Sequence, residues 1–150
     1  MSAQSPKRKE PSGRAAFARF VPVSTRWSDN DVYGHLNNAA YYGLFDSAAN
    51  ALLIEAGLLD PLKSPVIGVV AESDCTFFSS LGFPDAIEIG VAVERLGRSS
   101  IRYRFGAFLK GAERASAEGG YTHVYVVRAT GRPAEIPAAH RELMESLYMP

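Results

Sequence analysis

The alternation of hydrophobic and polar positions predicts a first strand near the start of the chain. In "RFVPVSTRW", every second residue from Val21 to Trp27 falls on one face, which is the period of a half-buried strand. Pro22 has no backbone N–H to donate to a sheet ladder. The strand is therefore predicted to lie at a sheet edge, or to begin beyond the proline.

A change of period from two to 3.6 marks the next element, over residues 38–56. These residues contain no proline and predict a helix roughly 28 Å long at 1.5 Å per residue, closed by Gly57. The other helix faces carry small or apolar residues, so the helix is predicted to be buried. The residues at helical spacing are Tyr41, Leu44, Phe45, Ala48, Leu52 and Glu55.

Four more strand-like segments follow, with short turns between them. They are "VIGVVAESDCTFF", "AIEIGVAVERL", "SSIRYRFGAFLK" and "GGYTHVYVVR", and "AAHRELMESLYMP" then predicts a short amphipathic helix. Such short connections join antiparallel neighbours. The fold class is therefore α+β, a five-stranded antiparallel sheet wrapped around one long helix. One sheet covers only one side of that helix, so dimerisation is expected.

Composition narrows the class of protein further. Lys+Arg and Asp+Glu are both 16, which gives no electrostatic case for nucleic acid or an anionic membrane. Cys75 is the single cysteine, and a buried structural role is favoured over a nucleophilic one. No apolar run approaches the ~20 residues of a membrane span. Residues 1–16 read as a flexible polar tail without a secretory signal, residues 17–150 as a single domain, and the expected location is cytoplasmic.

The stretch "SDNDVYGHLNN" lies between the first strand and the long helix and carries the candidate chemistry. Asp and Asn are the preferred residues of turns and helix N-caps, so capping alone is one explanation. Asp29, Asp31 and His35 also suggest a metal triad. Three ligands packed into one irregular loop are uncommon, so no metal site is predicted.

Element order and this motif together resemble the hot-dog fold, and specifically the 4-hydroxybenzoyl-CoA thioesterase-like acyl-CoA thioesterases. Their signature is approximately aromatic-x-Asp-x-Asp-x-x-Gly-His-Val/Leu-Asn-Asn-x-x-Tyr. "ERLGRSS" and "ATGRPAEIP" are similar to later segments of the family, and the resemblance spans about residues 19–145. The matching signature positions are Trp27, Asp29, Asp31, Gly34, His35, Leu36, Asn37, Asn38 and Tyr41.

The resemblance implies an acyl-CoA thioesterase that needs neither cofactor nor metal. Asp31 would attack the thioester carbonyl or act as general base on water, and the sequence does not separate these roles. The Asn38 backbone N–H would stabilise the oxyanion at the helix N-terminus. Gly34 would allow a tight turn near the substrate. Family active sites form between subunits, so a homodimer or homotetramer is expected.

The other residues of the motif have more than one interpretation. His35 would position Asp31, touch the substrate or be merely structural, and Asn37 would donate its amide or cap the helix. Tyr41 would line the acyl pocket or simply pack. Some hot-dog thioesterases carry their catalytic carboxylate on the long helix, which makes Asp46 the rival of Asp31. Asp29 is interpreted as a loop-stabilising acceptor.

Coenzyme A phosphates require cations near the pocket. Arg95 and Arg98, around the "LGR" turn, are the candidates, and the alternative is a solvated surface. Arg102 and Arg104 share one strand face and are further candidates. Ser73 and Ser79 are assigned to the lining of the thioester channel, and His123 is assigned a structural role.

Two other functions compatible with the same fold remain open. An acyl-ACP thioesterase would need a basic docking patch, which the neutral overall charge does not indicate. A non-catalytic acyl-CoA-binding module would have no use for a carboxylate facing a thioester. The sequence does not determine the acyl chain length.

Overall fold

A computed structural model describes residues 8–150 of the chain. Two helices and five strands form it, and single 3-10 turns lie at Arg14–Ala16 and Trp27–Asp29. None of the helices in this range is long and apolar enough to cross a membrane. In chain order the elements are β1 Arg19–Val23, α1 Asn38–Glu55, β2 Val66–Phe77, β3 Ile87–Leu96, β4 Ser100–Leu109, β5 Ala117–Val127 and α2 Ala138–Ser146.

All five strands form one antiparallel sheet in the order β1-β3-β4-β5-β2. The predicted fold class, with its long helix and short C-terminal helix, is confirmed. β1 pairs with β3 only, so Pro22 lies in an edge strand, where its missing donor is tolerated. β2 is the other edge strand and pairs only with β5.

Helix α1 packs one face against the sheet and builds the main core there. Phe45 is fully buried and stacks on Phe105 of β4, with ring centroids 5.1 Å apart. Within the single chain the opposite face of α1 stays open, and Tyr42 and Ile54 are exposed. The all-round burial predicted for this helix is therefore not reached inside one subunit, because one sheet covers one side of a helix.

The N-terminal segment differs from the predicted flexible tail. Residues 11–17 lie against the outer face of the sheet, where the Phe17 ring fits over Gly90 and Gly106. The Arg14 guanidinium forms a 3.0 Å salt bridge with Glu88, and the Ser12 N–H donates to Glu118. These contacts are long-range and carry no periodic signal, so the sequence pattern missed them. Residues 1–7 of the predicted tail lie outside the described residues.

Candidate active site

The loop from Ser24 to Asn37 joins β1 to α1, and Asp29 fastens its first half. The Asp29 carboxylate accepts the Arg26 backbone N–H at 2.7 Å and the Arg26 guanidinium at 2.9 Å. These bonds hold the pKa of Asp29 below its usual range. The Asp29 carbonyl also accepts the Asn37 N–H at 2.8 Å. Asp29 therefore stabilises the loop, as interpreted from the sequence.

Asp31 lies in a tight turn that fixes its carboxylate. Its Oδ1 accepts the backbone N–H of Tyr33 at 2.9 Å and that of His35 at 3.4 Å. The Asp31 N–H in turn donates to the His35 carbonyl at 2.8 Å, and Gly34 adopts a φ of 80° to close the turn. Since both side-chain bonds use Oδ1, Oδ2 keeps no partner among residues 8–150 and remains able to react.

Helix α1 is capped by Asn37 and not by Asp31. The Asn37 side-chain oxygen accepts the Ala39 N–H at 3.0 Å, and its carbonyl accepts the Ala40 N–H. The Asn38 N–H is in the first helical position, so it has no hydrogen-bond acceptor within the helix and lies at the positive end of the helix dipole. Asn37 thus has the capping role that the sequence left open, and Asp31 is left for another task.

Asp31 and Asn38 border the same open pocket, which has a volume of about 330 Å³. One wall comes from the loop and helix start, and the other comes from the end of β2 and the segment that follows it. A 2.7 Å bond from the Leu36 N–H to the Leu81 carbonyl holds the two walls together. The lining residues are Asp31, His35, Leu36, Asn38, Tyr41, Phe77, Phe78, Ser79 and Ser80.

Tyr41 combines the two roles that the sequence offered for it. The side chain is buried and makes an edge-on contact with the Phe77 ring, with centroids 5.0 Å apart. Burial raises the pKa of the Tyr41 hydroxyl, and a hydrogen bond with the Leu81 backbone lowers it by a smaller amount. Tyr41 therefore packs in the core and also lines the pocket.

Gly34 and Asn37 support the pocket without lining it. His35 contributes to the lining, while its contacts to Asp31 are made by its backbone. Ser79, proposed for the thioester channel, lies in the pocket with Asp31, whereas Ser73 lies in a separate one with Asp46. Ser79 is the one residue that sequence analysis assigned to the site from the second wall. The "FFSS" run at the end of a strand was its one available signal.

Arg95 and Arg98 lie at the other end of the sheet within the subunit. Their turn connects β3 to β4, beside Ile101, whereas the pocket lies beside the strand position of Ala107. Six residues along a strand separate these positions by roughly 20 Å. Arg95 and Arg98 are exposed, and Arg98 pairs with Glu135 at 3.0 Å. One chain alone does not bring them to its own Asp31.

The strand arginines are engaged in structural contacts. Arg102 forms ion pairs with Asp74 and Glu94 and is largely buried. Arg104 donates to the Ala16 carbonyl at 2.7 Å and so ties the N-terminal segment to the sheet. Neither side chain is a free cation for a phosphate, and neither is part of a simple solvated face.

Asp46 lies in a separate pocket of about 240 Å³ beside β2. Its Oδ1 accepts hydrogen bonds from the Tyr121 hydroxyl at 3.2 Å and from the Asn50 amide at 3.0 Å. Asp46 is exposed, and no arginine or lysine within residues 8–150 pairs with it. Asp46 therefore remains a structural rival of Asp31 that an experiment must separate.

Two other titratable residues have structural surroundings. Burial lowers the pKa of His123 to about 4, so its imidazole is neutral, in agreement with the structural role predicted for it. Burial and the nearby Asp74 charge raise the pKa of the half-buried Cys75 to about 11, which disfavours a thiolate nucleophile. Among the described residues no group of three His, Cys, Asp or Glu side chains is placed to hold a metal ion.

The turn at Gly34 gives a test that separates backbone strain from crowding. A Cβ at Gly34 would meet nothing within 4 Å, but its φ of 80° is strained for alanine. We expect Gly34→Ala to lower the free energy of unfolding by about 1–2 kcal/mol. Urea denaturation measures this effect. Gly43→Ala, equally uncrowded but helical, should instead leave stability equal or higher; equal behaviour of the two variants would contradict the strain argument.

Comparison with known proteins agrees with this fold. The profile of the thioesterase-like superfamily matches residues 25–145 of the chain, from the loop before α1 to α2. The PA5185 protein from Pseudomonas aeruginosa strain PAO1 has a similar crystal structure. It is 45% identical, with a TM-score of 0.91 over 93% of this chain and 97% of that one. The chain belongs to the thioesterase-like superfamily.

Two more distant relatives complete the comparison. Slr0204 from Synechocystis, a 1,4-dihydroxy-2-naphthoyl-CoA thioesterase, is 12% identical with a TM-score of 0.76 over 87% of this chain and 98% of that one, which shows a shared fold. The YsmA protein of Bacillus subtilis (strain 168) is 24% identical over 92 residues, 61% of this chain and 62% of that relative. The family assignment supports the predicted class of enzyme, a thioester hydrolase.

Proposed function

We propose that this protein hydrolyses acyl-CoA thioesters to a free carboxylic acid and coenzyme A, with Asp31 as nucleophile or general base. The observation that carries the proposal is that Asp31 and Asn38, the first residue of α1, line one pocket. A carboxylate with one unengaged oxygen and a free donor at a helix N-terminus are the two groups that thioester hydrolysis needs. The helix is capped by Asn37, and the turn bonds of Asp31 use only its Oδ1.

Either role of Asp31 gives a balanced reaction. As general base, Oδ2 takes a proton from water while the water oxygen attacks the thioester carbon, the C–S bond breaks, and the coenzyme thiolate is then protonated. As nucleophile, Oδ2 itself forms a mixed anhydride with the acyl group and expels the thiolate, and water then cleaves the anhydride. In both routes negative charge develops on the carbonyl oxygen, where the Asn38 N–H and the helix dipole stabilise it.

A thiol-release screen tests the proposed function directly. It covers short, medium, long and aromatic acyl-CoAs, the last class including the substrate named for Slr0204, because Tyr41, Phe77 and Phe78 give the pocket aromatic walls. Matched acyl-ACP thioesters test the alternative carrier. Release from none of the CoA thioesters would refute the proposal, and tight acyl-CoA binding without thiol release would favour a non-catalytic module.

We further propose that the active unit is a homodimer formed through the open edge of β2, or a tetramer of two such dimers. β2 has twelve residues and presents unpaired backbone groups along its free edge, a ready template for another strand. Apolar side chains are exposed along it, Val70 by 49% and Phe77 by 46%. The open face of α1, with Tyr42 and Ile54, is another apolar surface that a single chain leaves uncovered.

Antiparallel pairing of β2 with a second copy would also account for the arginines. The Asp31 pocket lies at the C-terminal end of β2, whereas the β3–β4 turn lies towards its N-terminal end, since Val69, Val124 and Ser100 are aligned across the sheet. Antiparallel strands place opposite ends side by side. Arg95 and Arg98 of one subunit would therefore approach the Asp31 pocket of the other, as candidates for contacting coenzyme A.

A lysine on the free edge is expected to weaken the dimer. Val70→Lys would place a solvated cation at the interface, and it should weaken association by at least about tenfold, since lysine on an edge strand opposes pairing. Sedimentation velocity over a concentration series measures this change. Leu62→Lys adds the same charge at an exposed position outside the strands and should leave association unchanged. Val70→Lys that assembles like the wild type would contradict an interface at β2.

A further inference from the structure

The N-terminal segment places two cations beside the Asp31 pocket. Arg8 and Lys9 line a second open pocket, of about 310 Å³, together with Glu10, Pro11 and Phe78. Phe78 also lines the pocket of Asp31, so the two pockets share one residue. Sequence analysis assigned these residues to a flexible tail and looked for cations at the β3–β4 turn instead.

The position of Arg8 and Lys9 follows from the anchoring of the residues after them. The Ser12 carbonyl accepts the Ala115 N–H at 3.0 Å, and the Ser12 N–H donates to Glu118 at 3.1 Å. The neighbouring Ser116 carbonyl accepts the N–H groups of Phe78 and Ser79. The segment is therefore fixed next to the chain that forms the second wall of the Asp31 pocket.

Both cations are available to a ligand. Arg8 and Lys9 are exposed, and neither forms a salt bridge with a carboxylate of residues 8–150. Glu10 lies in the same pocket and partly offsets them, which leaves one net positive charge there. The positive charge of Lys9 also acts on Cys75 near the end of β2. It lowers the pKa of that thiol, against the rise caused by burial.

We infer that Arg8 and Lys9 bind the phosphate groups of coenzyme A while the thioester lies at Asp31. The inference rests on the proposed function, since it assigns the phosphate-binding end of the same substrate. Arginine and lysine are the residues that pair with phosphate oxygens through charge-assisted hydrogen bonds. Within one subunit, Arg8 and Lys9 border the space next to the thioester pocket, whereas the β3–β4 turn is roughly 20 Å away along the sheet.

Calorimetric titration with coenzyme A and with pantetheine tests the inference without relying on catalysis. Pantetheine keeps the thiol arm and lacks every phosphate. The double variant Arg8→Gln/Lys9→Gln should weaken coenzyme A binding by about 5–10-fold at low ionic strength and less at about 0.5 M salt, where exposed charges are screened. Pantetheine binding should not change. Arg19→Gln/Lys110→Gln removes the same two charges away from this pocket and should leave coenzyme A binding unchanged.

Three results would overturn the inference. The first is wild-type affinity of the Arg8→Gln/Lys9→Gln variant for coenzyme A. The second is no measurable binding of coenzyme A by the wild type. The third is an equal loss in the control variant, which would indicate a general charge effect. Thiol release from acyl-pantetheine in the same preparations reports on Asp31 chemistry alone. Coenzyme A binding that depends on Arg8 and Lys9, without thioester cleavage, would refute the proposed reaction and leave the phosphate site standing.

Discussion

Asp31→Asn is expected to lower kcat for acyl-CoA hydrolysis by at least about 10²-fold, because the change removes a general base or nucleophile. The asparagine side-chain oxygen can still accept the N–H groups of Tyr33 and His35, which Oδ1 holds in the wild type. The turn and the melting temperature should therefore change little, and dimerisation should persist. Thiol release under saturating substrate measures kcat, and circular dichroism checks the fold.

Asp46→Asn is the matched control for this experiment, since it makes the same change in the neighbouring pocket. Asp46 accepts hydrogen bonds from Tyr121 and Asn50, and the variant should keep kcat within a few-fold of the wild type while altering KM for some acyl groups. Full activity of Asp31→Asn would remove Asp31 from the mechanism. A collapse of kcat in Asp46→Asn alone would transfer the catalytic role to the helix carboxylate.

Of the variants proposed, Phe45→Ala should cause the largest decrease in the free energy of unfolding. Phe45 is fully buried between α1 and the sheet and stacks on Phe105. Removal of a buried phenylalanine ring leaves a cavity and costs about 3–5 kcal/mol, which is a large part of the ~5–15 kcal/mol that holds a domain folded. Urea denaturation at a fixed protein concentration measures the free energy of unfolding.

The consequence for the site is that Phe45 holds the helix whose first turn carries the proposed oxyanion donor. If Asn38 has that role, a partly loosened α1 should lower kcat together with stability, since the Asn38 N–H must stay in place relative to Asp31. Leu62→Ala is the control, because Leu62 is 85% exposed, lies outside the helices and strands and should cost less than about 1 kcal/mol. Equal losses in the two variants would show that α1 is not held through Phe45.

The elements were predictable because their signals are local. Period two and period 3.6 follow from side-chain geometry within a few residues, so the five strands and α1 could be recognised from the pattern. Pro22 indicated an edge strand because a missing N–H donor excludes a central one. Family resemblance was equally local, since the signature lies within one loop and the first turn of one helix.

The roles of the individual residues in "SDNDVYGHLNN" could be predicted only in part from the sequence. Asp and Asn side chains have nearly interchangeable uses in turns and caps, so sequence left each residue with two roles. In the tertiary structure Asp29 accepts a hydrogen bond from Arg26, and Asn37 caps the helix. The structure leaves one Asp31 oxygen unengaged in a pocket that Asn38 also lines, and no sequence spacing shows which oxygen of a carboxylate is already used.

By itself, the sequence determined the secondary structure, the family and the loop that contains the candidate chemistry, because each depends on neighbouring residues. Only the tertiary structure decided which residues, distant in sequence, lie around that loop. Sheet order separates Arg95 and Arg98 from Asp31 within the subunit, and contacts more than 70 residues apart in sequence fasten residues 11–17 beside the pocket. Such contacts depend on complementary surfaces formed only when the chain folds, and the hydrophobic pattern carries no record of them.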